Sequence, residues 1–477
     1  MIQSLNIDKT LVLLCTAYLT LSLTFLHTTE AQASEEDFDK NVETLYGCLC
    51  ACAGYPVTPC NQSAECNQAF KLSAERMERF LNLNATEIAY LWGLEIEAQK
   101  AKRLRRWWYY TPPVIRQECR ELTEQKRSDL FYAINYLKKN TSNPNVYLLL
   151  AKLHRGLYVD RHAHGGSNFL GWHRAYLYYY EMALRRVRSS VALCYWDSTI
   201  DYRLGRNEWV FTNAFSDLLF GNADGEVING AFTNWTLPSP NEGFLLQRNM
   251  RLGVSQPMDP AAVSLIIHSL QLLNHSSITK GGSGHLTITN SQGRTRPVIL
   301  EAEHDNVHVW VGAIMSYIDL APLDPVFFFH HCYVDYVWER FRQKMKVQGK
   351  DPTTDYPSLG TESHAKDYPM IAFNWYRNID GYSDFFTDYI YKYDEPPTCT
   401  GYFATCQNSP FMECNSENEC VAKKRSQLVP PIPPSISRTF GFSDTVLVSL
   451  GTEGEDAAVS PSLTVTGRSF SANSNSD

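Results

Sequence analysis

Eight of the thirteen histidines lie in two short stretches of the chain, and each stretch has the composition of half a metal site. In the first stretch they are His154, His162, His164 and His173. In the second they are His304, His308, His330 and His331. Imidazole nitrogen suits copper, zinc, iron and nickel, whereas the lack of thiolates other than Cys332 argues against a structural zinc finger. The two stretches are far apart in sequence, so only folding can bring them together.

The spacing and neighbours of these histidines favour metal binding over the ordinary alternative, in which each is a separate core or surface residue. His304 and His308 are four residues apart, so on a helix they project from the same face. Apolar and aromatic runs accompany both stretches, at residues 169–172 and 326–329. A buried polar ring needs a partner, and one shared metal ion satisfies several rings at once.

The elements that must position these residues are mainly helices. Apolar residues at three- and four-residue intervals and a lack of helix breakers predict helices over 73–102 and 121–139. A third helix is expected to end near His154, and a fourth to run from His173 to Arg188. Residues 200–295 contain scattered Gly, Asn and Pro, which predicts long loops with short helices.

The remaining histidines are placed by turn and capping signals. The turn over 165–168 places His164 in a loop. A helix that begins at Glu303 carries His304 and His308. Asp324 and Pro325 precede the helix that holds His330 and His331, and proline suits the start of a helix.

Residues 1–33 are predicted to be a signal peptide. An apolar run over 11–26 follows a polar segment, and Ala31-Gln32-Ala33 has the small residues of a cleavage site. A membrane anchor would need about 20 apolar residues, and this run is shorter and interrupted by threonines. We therefore expect a secreted, extracellular protein that does not associate with membranes.

Removal of 1–33 also removes Cys15 and leaves an even number of cysteines, which predicts disulfides in a secreted chain. We expect a cysteine-rich N-terminal region with a helix over 34–111 and a second cysteine-rich segment over 396–425. Cys194 and Cys332 have apolar surroundings and are candidates for free buried thiols. A tail over 426–477, rich in proline, serine, threonine and glycine, is predicted to be disordered.

The net charge of −8 provides no basic stripe, so nucleic acid is not an expected partner. Five N-x-S/T sequons predict a glycoprotein. They lie at Asn61, Asn84, Asn140, Asn234 and Asn274.

Two motifs resemble those of the tyrosinase family of dicopper proteins, which includes tyrosinases, catechol oxidases and molluscan-type haemocyanins. The first is HGGSNFLGWHRAYLYYYE from His164, and the second is HDNVHVWVG from His304, followed by DPVFFFHHCYVD. The resemblance covers about residues 112–395, where Tyr391-Lys392-Tyr393 resembles the Y-x-Y that closes the family's core. It implies a mainly α fold, with long loops around a four-helix bundle that holds two copper ions, Cu A and Cu B.

The resemblance also implies which histidines bind each copper. For Cu A they are His154, His164 and His173, and for Cu B they are His304, His308 and His331. His162 competes with His154 at Cu A, and we favour His154 because it ends an apolar helix upstream of the loop. Helical spacing does not decide between His330 and His331, but relatives that keep one histidine of this pair keep the second.

Further residues are candidates for catalytic or positioning roles, namely Asp305, Asp335 and Arg174. Asp305 stands where relatives that hydroxylate monophenols efficiently often have asparagine, and with Glu303 it is a candidate for positioning a water that deprotonates a phenol. Asp335 lies four residues after His331, so it is placed to orient an imidazole or to pair with Arg174. For each of these residues, an ordinary buried ion pair or helix cap is the equal alternative.

The implied activity uses O₂ to hydroxylate monophenols and to oxidise o-diphenols to o-quinones. Its partners would be O₂ and phenolic or catecholic compounds, with tyrosine-rich structural proteins as a further class, and its role melanin formation or quinone cross-linking. The alternatives are a catechol oxidase only, a dioxygen carrier of haemocyanin type, and a catalytically weak or zinc-loaded relative. Carriers usually repeat this domain, and this chain has one copy.

Overall fold

The computed structural model describes residues 42–52, 63–107, 112–238, 243–250, 255–290, 293–400, 405–407 and 409–428. The predicted signal peptide, and the predicted tail beyond residue 428, lie outside the described residues. Among the helices that are described, none combines the length and hydropathy needed to cross a membrane.

Helices make up most of the regular structure, which confirms the predicted mainly α fold. In chain order they are α1 Val42–Cys52, α2 Ala64–Leu81, α3 Ala85–Trp107, α4 Glu124–Lys139, α5 Val146–Lys152, α6 Leu157–Ala163, α7 Asn168–Val187, α8 Thr199–Tyr202, α9 Pro260–His268, α10 Leu300–Val311 and α11 Val326–Val347.

The strands are short and form two-stranded pairs. They are β1 Val114–Arg116, β2 Asp224–Glu226, β3 Gln247–Asn249, β4 Thr287–Thr289, β5 Thr295–Pro297, β6 Tyr391–Tyr393, β7 Cys399–Thr400, β8 Thr405–Cys406, β9 Met412–Cys414 and β10 Cys420–Ala422. The β1–β6 pair is parallel, and it joins the start of the core to the Tyr391–Tyr393 segment, with Val114 opposite Tyr391. The other pairs are antiparallel.

The helix α7 lies at the centre of the molecule. Its residues from Asn168 to Leu184 are buried on every side of the helix except at Met182, and a helix that is covered all round belongs to a core. It packs against α4 and α11, and α11 in turn packs against α9 and α10. This arrangement confirms the helical core, and it brings the two histidine-rich stretches together.

Several predicted helix bounds were wrong. The helix predicted over 73–102 is two helices, because Asn82 ends α2 in the left-handed conformation with φ 53° and the side chain of Asn84 caps α3. The helix predicted from His173 begins at Asn168, since the loop already turns at Gly165, whose φ is 79°. The helix predicted from Glu303 begins three residues earlier, at Leu300.

The cysteines correct two further predictions. The described disulfides are Cys48–Cys66, Cys119–Cys194, Cys399–Cys414 and Cys406–Cys420. Cys194 is therefore not a free thiol, because the pairing of Glu118 with Tyr195 brings the Cα atoms of Cys119 and Cys194 to 5.0 Å. Cys332 is free and buried, as predicted. Within the described residues, the cysteine-rich region is the C-terminal segment, whereas the N-terminal part consists of α1, α2 and α3.

Candidate metal centre

The first histidine group consists of His154, His164 and His173. His154 lies just after α5, His164 directly follows α6, and His173 lies in the second turn of α7. Their side chains are buried, and one nitrogen from each ring lies within 4.8 Å of the others. The Nε2 atoms of His154 and His173 are 3.2 Å apart.

Backbone carbonyls fix the tautomers of two of these rings. His154 Nδ1 lies 2.9 Å from the carbonyl of Ile318, and His173 Nδ1 lies 2.8 Å from the carbonyl of Phe169. A carbonyl only accepts, so each Nδ1 must be the protonated donor, and in the neutral ring Nε2 then carries a lone pair. Two lone pairs that face each other at 3.2 Å repel, unless a cation lies between the rings. The local geometry therefore fits a metal ion that takes Nε2 ligands.

The second group has the same design. His304 and His308 lie one turn apart on α10 and meet His331 of α11. The Nε2 atom of His331 is 3.0 Å from Nε2 of His304 and 3.2 Å from Nε2 of His308. His308 Nδ1 donates to the carbonyl of Met315 at 2.9 Å, which again leaves Nε2 as the inward nitrogen.

His330 also approaches this group, so the geometry offers two candidates for its third member. One nitrogen of His330 lies within 4.8 Å of nitrogens from His304 and His308. However, His330 Nε2 lies 3.2 Å from the backbone carbonyl of His304, to which it donates, and its ring stacks on that of His304. His331 presents Nε2 directly to both α10 rings, and we favour it for that reason.

The two groups are buried and in direct contact with each other. The rings of His173 and His331 stack with centroids 4.4 Å apart and an interplanar angle of 14°. Phe169 packs against His304, and Phe327 packs against both His154 and His331. The apolar runs that accompany the histidines in the sequence are thus the walls that exclude water from the site.

Burial also determines the charge of the six rings. It lowers the pKa of His154 to about 4. It lowers the pKa of the other five rings well below the ordinary histidine value, and neighbouring imidazoles act in the same direction. The site therefore offers neutral nitrogen ligands, which suit copper and zinc.

The competing candidate for the first group, His162, lies elsewhere. Its Nδ1 atom lies 2.6 Å from the carbonyl of Tyr158, and its ring packs on that of Tyr158 with centroids 3.9 Å apart. The structure therefore places His154, and not His162, with His164 and His173.

Asp305 lies beside the second group. Its Oδ1 accepts from His304 Nδ1 at 3.0 Å, and its Oδ2 is 3.6 Å from Lys280 Nζ. Burial raises the pKa of Asp305, and the nearby Glu301 carboxylate adds to this effect. Glu303, the alternative to Asp305, is instead ion-paired with Arg296 on the other side of α10.

Sequence reasoning missed Glu301 and Lys280. Glu301 Oε1 accepts at 2.6 Å from the backbone N–H of Gly165, the residue that follows His164. The same oxygen lies 4.0 Å from Lys280 Nζ. Burial raises the pKa of Glu301 to about 7, although Lys280 opposes the shift. The one signal in the sequence is that Glu301 lies four residues before Asp305, on the same face of α10.

Arg174 and Asp335 pair with each other behind the histidines. Arg174 Nε donates to Asp335 Oδ1 at 2.7 Å, and a second nitrogen of Arg174 donates to Glu339 at 2.9 Å. The hydroxyls of Tyr391 and Tyr393 donate to Asp335 Oδ2 at 2.6 and 2.7 Å. Of the two roles predicted for Asp335, the structure thus supports pairing with Arg174, which joins α7 to α11.

Known proteins resemble this chain over the same region. The family model described as the common central domain of tyrosinase matches residues 136–344. A tyrosinase-like protein from Pinctada maxima is 51% identical over 367 residues, which is 76% of this chain and 79% of that protein. Tyrosinase-like protein 1 from Margaritifera margaritifera is 38% identical over 83% of this chain and 79% of its own length. A functional unit of octopus hemocyanin aligns in structure over 59% of this chain and 68% of its own, with 19% identity and a TM-score of 0.41.

Proposed function

This chain belongs to the tyrosinase family, and on that premise we propose that it is a dicopper phenol oxidase. The observation that carries the proposal is the pair of facing groups of three buried, neutral imidazoles. A structural metal site is usually closed around a single ion, whereas two adjacent groups of three rings suit two ions side by side.

We propose that His154, His164 and His173 hold one copper and that the second group holds the other. That second group is His304, His308 and His331. When bound, a copper pair of this kind supplies the redox chemistry by which O₂ hydroxylates monophenols and oxidises o-diphenols to o-quinones. The chain's own residues orient the histidine rings and take the proton from a phenolic substrate.

The first of these functions is to orient the rings. The carbonyls of Phe169, Ile318 and Met315 accept from Nδ1 of three different histidines, so the inward nitrogen is Nε2 in each case. These contacts orient the rings without a bound metal, because the carbonyls belong to the backbone and the surrounding apolar side chains are buried. Such outer hydrogen bonds contribute about 10–100-fold to metal affinity in other proteins.

The second function is proton transfer from a phenolic substrate. Hydroxylation of a monophenol needs the phenol to lose its proton, and a carboxylate within reach performs this as a general base. Asp305 is our candidate, because it is the carboxylate in direct contact with a histidine of the second group. Arg174 and Asp335 are proposed as positioning residues, since their ion pair joins the helices that carry His173 and His331.

We propose that the protein acts outside the cell on phenolic and catecholic compounds, including tyrosine-rich structural proteins. The predicted signal peptide supports secretion, and so do the four described disulfides, which form and persist in oxidising compartments. Melanin formation and quinone cross-linking are both consistent with an exported quinone-forming enzyme.

The experiment that tests the proposal combines metal analysis with an assay in air. The purified chain should contain copper, and it should convert 4-methylcatechol to a quinone with matching O₂ uptake. Reversible O₂ binding without quinone formation would indicate a dioxygen carrier instead. Zinc in place of copper, with no turnover after copper loading, would contradict the proposal.

A further inference from the structure

The segment after the second histidine group folds back over the loop that carries His164. This segment runs from Tyr356 to Tyr382 and lies beyond residues 136–344, which the family model matches. Ser167 Oγ donates to the carbonyl of Pro357 at 2.6 Å, and the hydroxyl of Tyr382 donates to the carbonyl of Ser167 at 2.7 Å. The loop is therefore held at Ser167, just before α7, by two residues of this segment.

His364 is the part of this segment that enters the loop. The side chain is buried, with 3% of its surface exposed. Its Nε2 lies 2.9 Å from the carbonyl of Arg161, and its Nδ1 lies 3.2 Å from the backbone N–H of Asn168. Because the carbonyl can only accept and the N–H can only donate, the ring must be neutral with its proton on Nε2.

These two contacts span the whole loop between α6 and α7. Arg161 lies in the last turn of α6, and Asn168 is the first residue of α7. His164 lies between them, and His173 follows in the second turn of α7. One imidazole thus sets the separation of the two helix ends that place both of these histidines.

The imidazole ring of His364 fits closely into the space around it. A Cβ atom added to Gly166 would lie 2.8 Å from His364 Nδ1, and a Cβ atom added to Gly360 would lie 3.1 Å from the opposite part of the ring. The ring is thus enclosed between two glycines, one from the loop and one from its own segment. Its backbone is anchored as well, since Tyr356 donates to the carbonyl of His364 at 2.9 Å.

We propose that His364 is a positioning residue that holds the His164 loop in the geometry of the first copper site. The inference rests on the proposed function, and it is specific to one of the two sites. Burial lowers the pKa of His364, which agrees with a neutral ring, although the hydrogen bond that the ring donates to the carbonyl of Arg161 opposes the shift. A residue of this kind acts on metal retention, so it can be tested without measuring turnover.

The test measures copper release to a chromogenic chelator from full-length protein in two backgrounds. In H331A the second site is disabled, and the copper that remains is at the first site. In H173A the first site is disabled. His364→Leu should speed copper release about tenfold or more in the H331A background, and should change it less than twofold in the H173A background.

Three further variants sharpen this comparison. His364→Asn should release copper more slowly than His364→Leu, since its side-chain oxygen can accept from the N–H of Asn168. Gly166→Ala should reproduce the selective acceleration, because the new Cβ displaces the ring. His268→Leu, a change at an exposed histidine at the end of α9, should leave release unchanged in both backgrounds.

Two outcomes would overturn the inference while leaving the dicopper proposal intact. One is unchanged release from His364→Leu in the H331A background. The other is equal acceleration in both backgrounds, which would indicate a general loss of stability. A wild-type chain that takes up no copper at all would instead overturn the proposed function, and this inference with it.

Discussion

Replacement of Asp335 by asparagine should destabilise the folded chain strongly. The carboxylate is buried and accepts from Arg174, Tyr391 and Tyr393 at 2.6–2.7 Å. An amide nitrogen cannot accept from a hydroxyl, so Asp335→Asn loses at least one of these bonds together with the charge that faces Arg174. Breaking a buried ion pair costs about 3–5 kcal/mol. We expect about 3 kcal/mol here, at the lower end of that range, because Glu339 stays paired with Arg174.

Urea unfolding at pH 7, followed by tryptophan fluorescence, measures this loss. The matched control is Glu97→Gln, which also removes a carboxylate 2.9 Å from an arginine nitrogen, but at a pair whose side chains are 28% and 37% exposed. Pairs at the surface contribute about 0–1 kcal/mol. A loss for Asp335→Asn no larger than that for Glu97→Gln would refute the reasoning.

The difference in the free energy of unfolding between the wild type and Asp335→Asn should depend on pH. Burial alone would raise the pKa of Asp335, but Arg174, Arg116 and the two tyrosine hydroxyls hold it below the usual aspartate value. A lowered pKa in the folded state means that the carboxylate stabilises the fold above the unfolded value of about 3.9. The contribution disappears as the pH falls through the lower folded value. The wild type and Asp335→Asn should therefore converge in stability only below about pH 4.

Three other predictions concern the site. His331→Ala should remove one copper and nearly all oxidase activity. His330→Ala should keep both coppers and lower the free energy of unfolding, since it loses the bond to the carbonyl of His304. Copper loss from the His330 variant alone would reverse the assignment. Asp305→Asn should shift the ratio of monophenol to diphenol rates if the carboxylate takes part in removing the phenol proton, and an unchanged ratio would exclude that role. Burial raises the pKa of the Cys332 thiol to about 12, so mass spectrometry should find its peptide alkylated only after unfolding; labelling of the native chain would contradict this burial.

The parts of the site that the sequence predicts are those with a local signal. His304 and His308 share a helix face, and the apolar run ahead of His154 favoured this residue over His162. The helix of His330 and His331 follows Pro325 as the capping signal indicates. These features depend on residues within one or two helical turns of each other, which periodicity detects.

The parts that could not be predicted depend on contacts between distant segments. The carbonyl of Ile318 lies 164 residues from His154, and a backbone carbonyl leaves no trace in residue type. His364 lies 196 residues from Asn168, and nothing near it in sequence distinguishes it from an isolated histidine. The pairing of Cys119 with Cys194 likewise follows from the strand-like contact of their neighbours, which no spacing rule reveals.

One exception is instructive. The break between α2 and α3 has a local signal, because Asn82 and Asn84 are both residue types that end or begin helices. The alanine, glutamate and leucine residues on either side all favour a helix, so the composition predicts a single helix across both asparagines. Local capping preferences outweighed that composition in the folded chain.

Titration of the copper-free chain with copper, with diphenol oxidation measured at each point, tests the central claim most directly. If the two facing histidine groups form one dicopper site, the chain should bind two copper ions, and oxidation of 4-methylcatechol should appear mainly with the second. Activity that rises in proportion to the first copper bound would contradict a paired site. Binding of two coppers with no oxidation at any point would contradict the proposed activity itself.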